Sequence, residues 1–512
     1  MQIKNICVIG AGVSGLVTAK TFLEEGYDVT VFEKKPGLGG VWEKSCSYPE
    51  VTLQNTRDTY RFSDYPMPKS YPEWPTGEEV RNYLYSYAQD FGVIGKIKFQ
   101  TEVIDVAKNP GFNSGWLVSI KEKDANSNDT KIKTYEFDFV VVCNGQCSSQ
   151  NIPSLLGLEE FMASGGQVLH STQCNDISII KGKRVVVLGS GKSACDLATL
   201  AAKTAKECTL VYREPKWIVP RFFFGFVNLK HILLTRSAEA WLPYRQMMGF
   251  EKILHSFGKP LVWLFWRTVE MFLRLQLKLD SRGFLPSKSL NQIDCNLVVA
   301  PEGFFQYIDS GKIQTKKTRI SNFTPHGVSL ANGEQLEADV VIFGTGFQLE
   351  LPFLEAKFRQ LIIDGEGNFH LYRYLIPPNV PQMGFVGYNV NFFNLLTVEI
   401  SAWWLVEYIR GNLSLPSPIE MEQEITAELE AMKANLGFIP NQGTCVSSFS
   451  LRYVYQLLKD ISGNNQLAVW ENFNQMMKPV DLSVYSKVIQ KIKQEKGKKN
   501  SNSGIQEQVA VN

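Results

Sequence analysis

Short, fully apolar runs alternate along the chain with stretches whose apolar residues recur at helical spacing. The first run is Ile6-Cys7-Val8-Ile9, and the helical pattern behind it extends to about Glu25, where Gly26 ends it. A second run, Val29-Thr30-Val31-Phe32, closes this unit. Apolar runs without polar alternation are typical of parallel strands buried on both faces. The pattern therefore predicts a complete strand–helix–strand unit at the beginning of the chain.

The same pattern recurs from Arg184-Val185-Val186-Val187-Leu188 through a helix to Thr209-Leu210-Val211-Tyr212. Two further buried runs, Phe139-Val140-Val141-Val142 and the segment from Ala338 to Phe347, end in polar or glycine turns. We predict an α/β fold of two Rossmann-like dinucleotide-binding domains, with the second inserted into the first. The expected bounds are 1–175 and 326–485 for the first domain, including C-terminal helices, and 176–325 for the second.

Two regions lack this α/β pattern. Residues 221–285 are rich in Phe, Trp and Leu with interspersed Arg and Lys, which predicts an apolar helical insert. Two interpretations are open. Either the helices belong to the folded domain, packed on the core or around a substrate channel, or one of them lies on the surface at a membrane interface. Residues 486–512 are polar and rich in lysine, which predicts a disordered tail.

Composition narrows the function classes. The net charge of +2 over 512 residues argues against nucleic-acid binding. Nine cysteines without a CxxC pair predict reduced thiols rather than disulfides, and no metal site is expected. The uncharged stretch from Asn5 to Ala19 has the glycine spacing of a turn rather than the make-up of a signal peptide. A cytoplasmic location follows, with peripheral contact to the endoplasmic reticulum or another membrane as the alternative, and homodimer formation is left open.

The first glycine turn predicts a bound dinucleotide. Gly10 permits a tight turn, Gly12 lets the backbone approach a pyrophosphate, and Gly15 allows close packing of helix on strand. The pyrophosphate then lies at the positive N-terminus of the helix.

Glu33 ends the second strand of this unit, where a carboxylate can accept hydrogen bonds from both hydroxyls of an unphosphorylated ribose. This favours FAD or NAD over NADP. The segment Gly37-Leu38-Gly39-Gly40-Val41-Trp42 follows, and Gly40 and Trp42 suit a backbone pressed against a second part of the cofactor. Such an extension favours FAD.

The second glycine turn predicts a different dinucleotide. It consists of Gly189, Ser190, Gly191, Lys192, Ser193 and Ala194, with Ala194 in the place of a third glycine. The strand that follows ends in Arg213, whose guanidinium suits the 2′-phosphate of NADPH. Asn144, Gly145 and Gly346, in the turns after the two other buried runs, are predicted as further cofactor-binding residues.

Together these motifs resemble the flavin-containing monooxygenases, especially the plant and microbial branch, over roughly residues 3–460. The resemblance rests on the two glycine turns and on five further segments: Gly39-Gly40-Val41-Trp42, Phe62-Ser63-Asp64-Tyr65-Pro66, Arg213 with Trp217, Pro220 and Arg221, Phe343-Gly344-Thr345-Gly346-Phe347, and Met383-Gly384-Phe385-Val386-Gly387.

The identifying motif of that family, Phe-x-Gly-x-x-x-His-x-x-x followed by an aromatic residue, is incomplete here. Aligned on His170, the chain has Gly166 but Ser164 in place of the Phe and Cys174 in place of the aromatic residue. Phe161 is expected to substitute for the missing Phe in space. His170 itself is expected to link the two domains rather than to transfer protons.

The resemblance also implies an active-site asparagine that helps to hold the oxygenated flavin. Asn55, within Leu53-Gln54-Asn55-Thr56-Arg57, is the predicted catalytic residue, and Gln54 is the alternative because the spacing to Phe62 is one residue short of the commoner pattern.

The family chemistry implies that NADPH reduces FAD, that the reduced flavin adds O2 to give a C4a-hydroperoxide, and that a small nucleophilic substrate takes one oxygen atom. The substrate expected is an amine, an amino-acid-derived compound or a thioether, so the reaction is N-hydroxylation or S-oxygenation. A Baeyer–Villiger monooxygenase acting on ketones and a non-oxygenating FAD- and NADPH-binding redox protein are the alternatives. Cys174-Asn175 does not fit the longer Baeyer–Villiger motif.

Overall fold

The computed structural model describes residues 3–111, 115–123, 130–245, 247, 249–292, 297–446, 450–463 and 476–509, with the backbone alone at 123 and 497–509. The strands of this part of the chain are β1 (Asn5–Ile9), β2 (Asp28–Phe32), β3 (Ile97–Lys98), β4 (Thr101–Lys108), β5 (Trp116–Lys123), β6 (Thr130–Phe137), β7 (Phe139–Val142), β8 (Ser149–Gln150), β9 (Gln167–His170), β10 (Arg184–Leu188), β11 (Glu207–Tyr212), β12 (Ile218–Val219), β13 (Phe222–Phe223), β14 (Val227–Asn228), β15 (Val298–Val299), β16 (Gln314–Lys317), β17 (Ile320–Thr324), β18 (Gly327–Leu330), β19 (Gln335–Glu337), β20 (Val340–Phe343), β21 (Phe347–Gln348) and β22 (Met383–Phe385).

The α-helices of the same residues are α1 (Val13–Glu24), α2 (Gly77–Asp90), α3 (Leu158–Ala163), α4 (Lys192–Thr204), α5 (Arg236–Glu239), α6 (Gly249–Leu254), α7 (Lys259–Leu277), α8 (Phe304–Asp309), α9 (Ala356–Ile362), α10 (Asn394–Ile409), α11 (Pro418–Leu436), α12 (Leu451–Ser462) and α13 (Ser483–Val509).

The first parallel sheet has the strand order β22-β7-β1-β2-β3. Its central strands β1 and β7 are apolar and almost fully buried, because helices and a second layer cover both faces. The antiparallel strands β4, β5 and β6 form a separate sheet of the same unit. This arrangement confirms the predicted first dinucleotide fold.

The second parallel sheet has the order β16-β11-β10-β20-β9. Strand β20 pairs with β10 from Val185 opposite Val340 to Leu188 opposite Phe343, and β9 forms the edge next to β20. Both strands therefore belong to the second unit, although the sequence placed them in the first. The predicted boundaries at 175 and 326 are wrong for this reason. Insertion of the second unit into the first is confirmed, because the chain rejoins the first sheet at β22.

The apolar insert leaves the second unit and returns to it at one point. Strands β12 and β15 form a short parallel pair, with Ile218 opposite Val298. The hairpin β13–β14 and the helices α5, α6 and α7 lie between these strands along the chain. A helical, apolar insert was predicted, and the short hairpin at its beginning was not.

Helix α13 occupies most of the tail that the sequence predicted to be disordered from residue 486. Tyr485 and Ile492 are buried, and Val488 and Ile489 pack against the core. These residues recur at helical spacing and form an apolar stripe on one side of the helix. The lysines, on which the prediction of a disordered tail rested, lie between them in the sequence. The prediction is wrong for residues 486–496, where Ile492 is buried and Lys496 pairs with Glu407, and it stays a prediction for the remainder of the helix. Residues 510–512 lie outside the described residues.

One cysteine differs from expectation. Cys445 is disulfide-bonded, so the prediction of thiols without disulfides is wrong at this position. Cys143, Cys147 and Cys174 are free.

Among the described helices, none is long and apolar enough to cross a membrane.

Candidate functional site

The first glycine turn connects the end of β1 to the N-terminus of α1. Gly10 has a φ of +103°, and a Cβ built there would lie 2.7 Å from the carbonyl oxygen of Cys143. A Cβ at Gly15 would lie 1.8 Å from the carbonyl oxygen of Gly10. The N-cap residue Gly12 has no side chain to bind the first amides of the helix. The turn thus leaves N–H groups available to an anion.

A second backbone segment lies directly against this turn. A Cβ at Gly40 would lie 3.1 Å from the Cα atom of Gly12, and the Gly39 amide donates to the Ala11 carbonyl oxygen at 2.9 Å. Trp42 is fixed next to them by a hydrogen bond of 2.9 Å from its Nε1 atom to the Tyr60 hydroxyl. The predicted cofactor segment therefore meets the turn in space, and glycine at position 40, with a φ of +62°, favours this close approach.

Glu33 lies at the same edge of the sheet and is 6 % exposed. Its Oε2 atom accepts a hydrogen bond of 2.7 Å from the Ala11 amide, and Oε1 accepts one of 2.8 Å from the Lys35 amide. Burial raises the pKa of Glu33, and these two amides partly offset the effect. Each carboxylate oxygen keeps a second lone pair, which a ribose hydroxyl can use.

Asn144 and Gly145 follow β7 at the carboxyl edge of the first sheet. The Asn144 Oδ1 atom accepts a hydrogen bond of 2.6 Å from the Tyr388 hydroxyl, and its Nδ2 atom donates to the Glu350 carbonyl oxygen at 2.9 Å. Gly145 has a φ of +73°, and a Cβ there would meet open space. Asn144 thus ties β7 to the segment after β22, and Gly145 borders the open side.

Gly387 belongs to this edge as well, although it was not among the predicted site residues. Its φ is +94°, and a Cβ there would lie 2.3 Å from the Ser14 Oγ atom at the start of α1. The sequence signal was its position at the end of Met383-Gly384-Phe385-Val386-Gly387. Only the fold reveals that this segment packs on the first glycine turn.

The two candidates for the catalytic residue point to different parts of the molecule. The Asn55 side chain is 5 % exposed, and its Nδ2 atom donates to the carbonyl oxygen of Phe392 just before α10. The Gln54 Oε1 atom instead accepts a hydrogen bond of 3.0 Å from the amide of Val299 in β15. Gln54 thus contacts the base of the apolar insert, whereas Asn55 contacts the start of α10.

Asn391, beside this contact, is a further polar residue of the site. Its Nδ2 atom donates to the Asn389 carbonyl oxygen at 2.7 Å, and its buried Oδ1 atom has no hydrogen-bond partner in the part of the chain that the structure describes. A buried acceptor without a partner is costly unless a ligand or water binds it. The sequence offered only the Asn391-Phe392-Phe393-Asn394 pattern as a signal.

The second glycine turn joins β10 to α4. Gly189 has a φ of +133°, and a Cβ there would lie 2.3 Å from the carbonyl oxygen of Gly344. The Ser190 hydroxyl donates to the Glu214 carbonyl oxygen at 2.7 Å. Gly191 is the N-cap of α4 without a capping side chain, and a Cβ there would meet open space. This turn also presents uncapped amides.

Ala194 and Ser193 lie in the first turn of α4. Ala194 is fully buried, and a Cβ at Gly344 would lie 2.7 Å from the Ala194 Cβ atom. The missing third glycine is therefore compensated by Gly344 on the facing loop. The Ser193 side chain lies close to the Tyr48 hydroxyl of the first unit.

Arg213 directly follows β11 and is exposed. No ion pair or hydrogen bond of its guanidinium occurs among residues 3–245 or the other described ranges. Its neighbour Glu214 is engaged, since the carboxylate accepts a hydrogen bond of 2.5 Å from the Ser287 amide. A guanidinium without a partner at this strand end can bind a 2′-phosphate in bidentate fashion.

A buried polar network joins the two units at this place. The Tyr48 hydroxyl donates to the Asp196 Oδ2 atom at 2.8 Å, and Lys192 pairs with Asp196 at 2.5 Å. Burial raises the pKa of Asp196, and Lys192 partly offsets the effect. The loop that leads to Gln54 and Asn55 is thus anchored on the N-terminal turn of α4. Nothing in the sequence indicated this pairing.

His170 ends β9 and is fully buried. Its Nε2 atom lies 3.0 Å from the carbonyl oxygen of Gly346, and its Nδ1 atom lies 3.1 Å from the Thr172 hydroxyl. Burial lowers the pKa of His170, which favours the neutral imidazole. Gly346, with a φ of +84°, also accepts a hydrogen bond of 3.1 Å from the Asn151 amide. Because His170 ends β9 and Gly346 follows β20, their contact lies within the second unit.

Phe161 lies beside Gly166, as expected if it substitutes for the Phe that Ser164 replaces in the motif. A Cβ at Gly166 would lie 2.4 Å from the Phe161 Cζ atom, and the Phe161 ring lies 5.2 Å from that of Phe323. Gly166 is thus required by the ring that covers it.

The site is built around two glycine turns. Among the described residues, no group of three or more His, Cys, Asp or Glu side chains could hold a metal ion. The two glycine turns lie at the carboxyl edges of the two parallel sheets, where ligands bind in doubly wound folds. One turn has a carboxylate at the next strand end and the other has an arginine.

Comparisons with known proteins agree with this arrangement. A family model described as FMO-like, flavin-binding monooxygenase-like, matches residues 3–470. The chain is 30 % identical over 503 residues to the probable flavin-containing monooxygenase 1 of Arabidopsis thaliana, covering 90 % of this chain and 92 % of that protein.

Two solved structures share the fold. The S-allyl-L-cysteine S-oxygenase of Allium sativum has a TM-score of 0.60 at 20 % identity, over 97 % of this chain and 100 % of that one. A cyclohexanone monooxygenase with bound ε-caprolactone has a TM-score of 0.64 at 19 % identity, over 89 % of this chain and 97 % of that one.

Proposed function

Since the chain belongs to the flavin-binding monooxygenase-like family, we propose that it transfers one oxygen atom from O2 to a nucleophilic nitrogen or sulfur atom of a small substrate. Its cofactors are FAD and NADPH. The observation that carries the proposal is the pair of uncapped glycine turns with opposite charges at the following strand ends, Glu33 and Arg213.

The residues present fit both cofactors. Side chains are missing where a pyrophosphate would approach Gly10, Gly12 and Gly40, and a Cβ at Gly10 or Gly40 would lie only 2.7 Å or 3.1 Å from a backbone atom. We assign the ribose hydroxyls of FAD to Glu33 and the 2′-phosphate of NADPH to Arg213. When bound, FAD accepts a hydride from NADPH and activates O2, which supplies the chemistry that amino acid side chains lack.

The side chains of the protein bind and orient the reactants, and they exclude bulk water. We place the reacting oxygen beside Asn55, because the Nδ2 atom that donates to the Phe392 carbonyl oxygen carries a second N–H. Asn391 offers a buried acceptor in the adjacent segment. Low exposure of Asn55 keeps bulk water away from this position, which limits loss of activated oxygen as hydrogen peroxide.

The class of substrate stays open between two chemistries. Similarity over nearly the whole chain to a protein named S-allyl-L-cysteine S-oxygenase supports a thioether of amino-acid origin. Membership of the family is equally compatible with N-hydroxylation of an amine. Ketone oxidation is the second candidate, favoured by the likeness to cyclohexanone monooxygenase and disfavoured by Cys174-Asn175.

The decisive experiment measures NADPH oxidation, hydrogen peroxide release and product together. Amines, amino acids, thioethers and ketones are supplied in turn to the FAD-loaded protein. A true substrate raises NADPH oxidation without a matching rise in peroxide, and its product contains one additional oxygen atom. Bound FAD without NADPH oxidation would identify a non-oxygenating redox protein, and an ester formed from a ketone would identify the Baeyer–Villiger reaction.

Assembly and location stay predictions. A homodimer, and a cytoplasmic position with contact to the endoplasmic reticulum or another membrane, would both leave the two glycine turns unchanged. Light scattering and cell fractionation measure them directly.

A further inference from the structure

A cavity separate from both glycine turns lies between α11, α12 and the residues around Tyr374. Its empty space, mouth included, is about 600 Å³, which is enough for a ligand of a few heavy atoms. Glu424 and Glu428 of α11 contribute two carboxylates to its wall. Among the described residues that line it, none belongs to either glycine turn. Four tyrosines also line it: Tyr244, Tyr372, Tyr374 and Tyr453.

The backbone at Tyr374 is held in an unfavourable conformation. Arg373 and Tyr374 have φ values of +56° and +57°, in the left-handed region that non-glycine residues rarely adopt. Surrounding contacts fix Arg373, since its guanidinium pairs with Glu424 at 2.5 Å and with Asp460 at 2.9 Å. The Tyr453 hydroxyl also donates to the Arg373 carbonyl oxygen at 2.6 Å. Backbone strain that the surroundings impose in this way is typical of ligand-binding sites.

The Tyr374 hydroxyl is the first group of the cavity that lacks a partner. It is buried, and it neither donates nor accepts a hydrogen bond within the part of the chain that the structure describes. Burial raises the pKa of Tyr374 well above its ordinary value, and the charge of Glu428 adds to the effect, so the phenol stays protonated. A buried hydroxyl of this kind is costly unless a ligand or water binds it.

Glu428 is the second such group. Its Oε2 atom lies 3.3 Å from the Arg245 Nε atom, but no hydrogen bond to this carboxylate occurs among the described residues. Arg245 donates instead to the Glu424 carbonyl oxygen, at 3.2 Å. Burial raises the pKa of Glu428, and Arg245 partly offsets the effect. The carboxylate therefore keeps its capacity to accept hydrogen bonds from a ligand.

The charged groups of the cavity and their ion-pair partners do not balance. Three carboxylates meet two guanidinium groups, so one negative charge is left uncompensated. A cation in the cavity would compensate this charge, and an anion would be repelled by it. The carboxylates are those of Glu424, Glu428 and Asp460, and the guanidinium groups are those of Arg245 and Arg373.

Two tyrosines of the wall already bind cations through their ring faces. The Arg373 guanidinium lies 4.4 Å from the centre of the Tyr372 ring, and that of Arg452 lies 5.1 Å from the centre of the Tyr244 ring. Arg452 is in turn paired with Glu251, so this pair adds no net charge. Aromatic faces attract ammonium groups in the same way. The wall therefore suits a cation that has an apolar part.

We propose that this cavity binds a small organic ammonium ion. The Glu428 carboxylate and the Tyr374 hydroxyl accept hydrogen bonds from its N–H groups, and the tyrosine rings contact its alkyl part. An ammonium group carries only donors, so it satisfies both acceptors and compensates the charge at once. A neutral alcohol of the same size would leave the charge uncompensated. The site lies apart from Asn55 and from both glycine turns, and it does not depend on the oxygenation chemistry.

The test is isothermal titration calorimetry of the FAD-loaded full chain. The probes are propylammonium at pH 7.5 and, as a neutral molecule of the same size, 1-propanol. NADPH is left out, so that no amine is consumed. We expect saturable binding of propylammonium and at least tenfold weaker binding of 1-propanol, because only the cation compensates the charge of Glu428.

Glu428→Gln removes the charge and keeps the shape of the side chain. We expect the affinity for propylammonium to fall at least tenfold, with the FAD content unchanged. The matched control is Glu430→Gln, because Glu430 is an exposed acid of the same helix that lies outside the cavity. The control should bind propylammonium like the wild type.

Tyr374→Phe separates binding from folding. The variant loses a buried hydroxyl that has no partner in the ligand-free protein, so its urea midpoint should rise slightly. Its affinity for propylammonium should nevertheless fall several-fold, a combination that a purely structural role would not produce. Tyr85→Phe, at a tyrosine that is 53 % exposed outside the cavity, should change neither quantity.

Three results would overturn the proposal. The first is calorimetry that detects no saturable binding of propylammonium, or equal binding of propylammonium and 1-propanol. The second is a Glu428→Gln variant that binds propylammonium as tightly as the wild type, which would place the amine elsewhere in the protein. The third is a lower urea midpoint in Tyr374→Phe with unchanged affinity, which would assign the hydroxyl to the folded structure alone.

Discussion

The side-chain amide of Asn55 donates a hydrogen bond to the backbone carbonyl of Phe392, which lies 337 positions further along the chain. The contact joins the loop before Phe62 to the residues that precede α10. It engages one N–H group of the Asn55 amide. This contact supports the proposal that Asn55 holds a reacting atom, whereas the neighbouring Gln54 accepts a hydrogen bond from Val299.

The first prediction concerns these two neighbours. Asn55→Ala should raise NADPH-driven hydrogen peroxide release several-fold at the expense of oxygenated product, because it removes the side chain that we propose to hold the reacting oxygen. Gln54→Ala is the matched control, and we expect it to keep the coupling close to that of the wild type. Peroxide and product are measured in the same reaction mixture. The reverse pattern would assign the catalytic role to Gln54.

The second prediction concerns cofactor choice. Arg213→Ala should raise the KM for NADPH by roughly 10- to 100-fold, since a charge-assisted hydrogen bond contributes about 1.5–3 kcal/mol. The KM for NADH should change little, because NADH lacks the 2′-phosphate. Steady-state kinetics with both coenzymes test this directly. Equal changes for the two coenzymes would contradict the assignment of the 2′-phosphate to Arg213.

The third prediction concerns a buried acid in α10. Glu399 is 7 % exposed and accepts hydrogen bonds of 2.8 Å and 2.7 Å from the amide and the hydroxyl of Ser63. Burial raises the pKa of Glu399 to about 7, and the charge of Asp64 adds to the effect.

The pKa of Glu399 is higher in the folded protein than in the unfolded chain, so the folded state binds more protons between these two values. The free energy of unfolding should therefore fall as the pH rises from about 4.5 through about 7, by at most about 3 kcal/mol. Glu399→Gln lacks this contribution. As the pH rises, the free energy of unfolding of the variant should therefore increase relative to that of the wild type. Urea denaturation at pH 5 and pH 8 tests it, and parallel pH profiles would contradict it.

The fourth prediction compares two glycines with the same backbone conformation. Gly387 has a φ of +94° and Gly411 a φ of +70°, so an alanine costs about 1–2 kcal/mol at either position. Only at Gly387 would the added Cβ meet another atom, the Ser14 Oγ at the first glycine turn. Gly387→Ala should therefore lose an additional 1–3 kcal/mol, an order of magnitude typical of overpacking, and should retain less FAD.

Gly411→Ala is the control, since nothing lies within 4 Å of its added Cβ atom. FAD content from the absorbance spectrum and urea denaturation measure both effects. If the two variants lose the same stability and retain the same FAD, Gly387 has no special relation to the first turn.

The sequence by itself determined the local elements and the type of each nucleotide turn. Gly10, Gly12 and Gly15 require their turn whatever surrounds it, because backbone sterics act between residues close in the chain. Glu33 and Arg213 follow their strands directly, so their charges at the strand ends could be read from the order of residues. The apolar character of 221–285 was likewise evident.

Only the tertiary structure decided which elements meet. β20 is apolar on both faces, and such a strand fits either parallel sheet equally well, so its place beside β10 depended on the packing of the whole unit. The same holds for Tyr48 with Asp196 and for Asn55 with Phe392, whose pairing depends on chain segments far apart in the sequence. Long-range contacts leave no periodic pattern, and for this reason they had to be found in the fold.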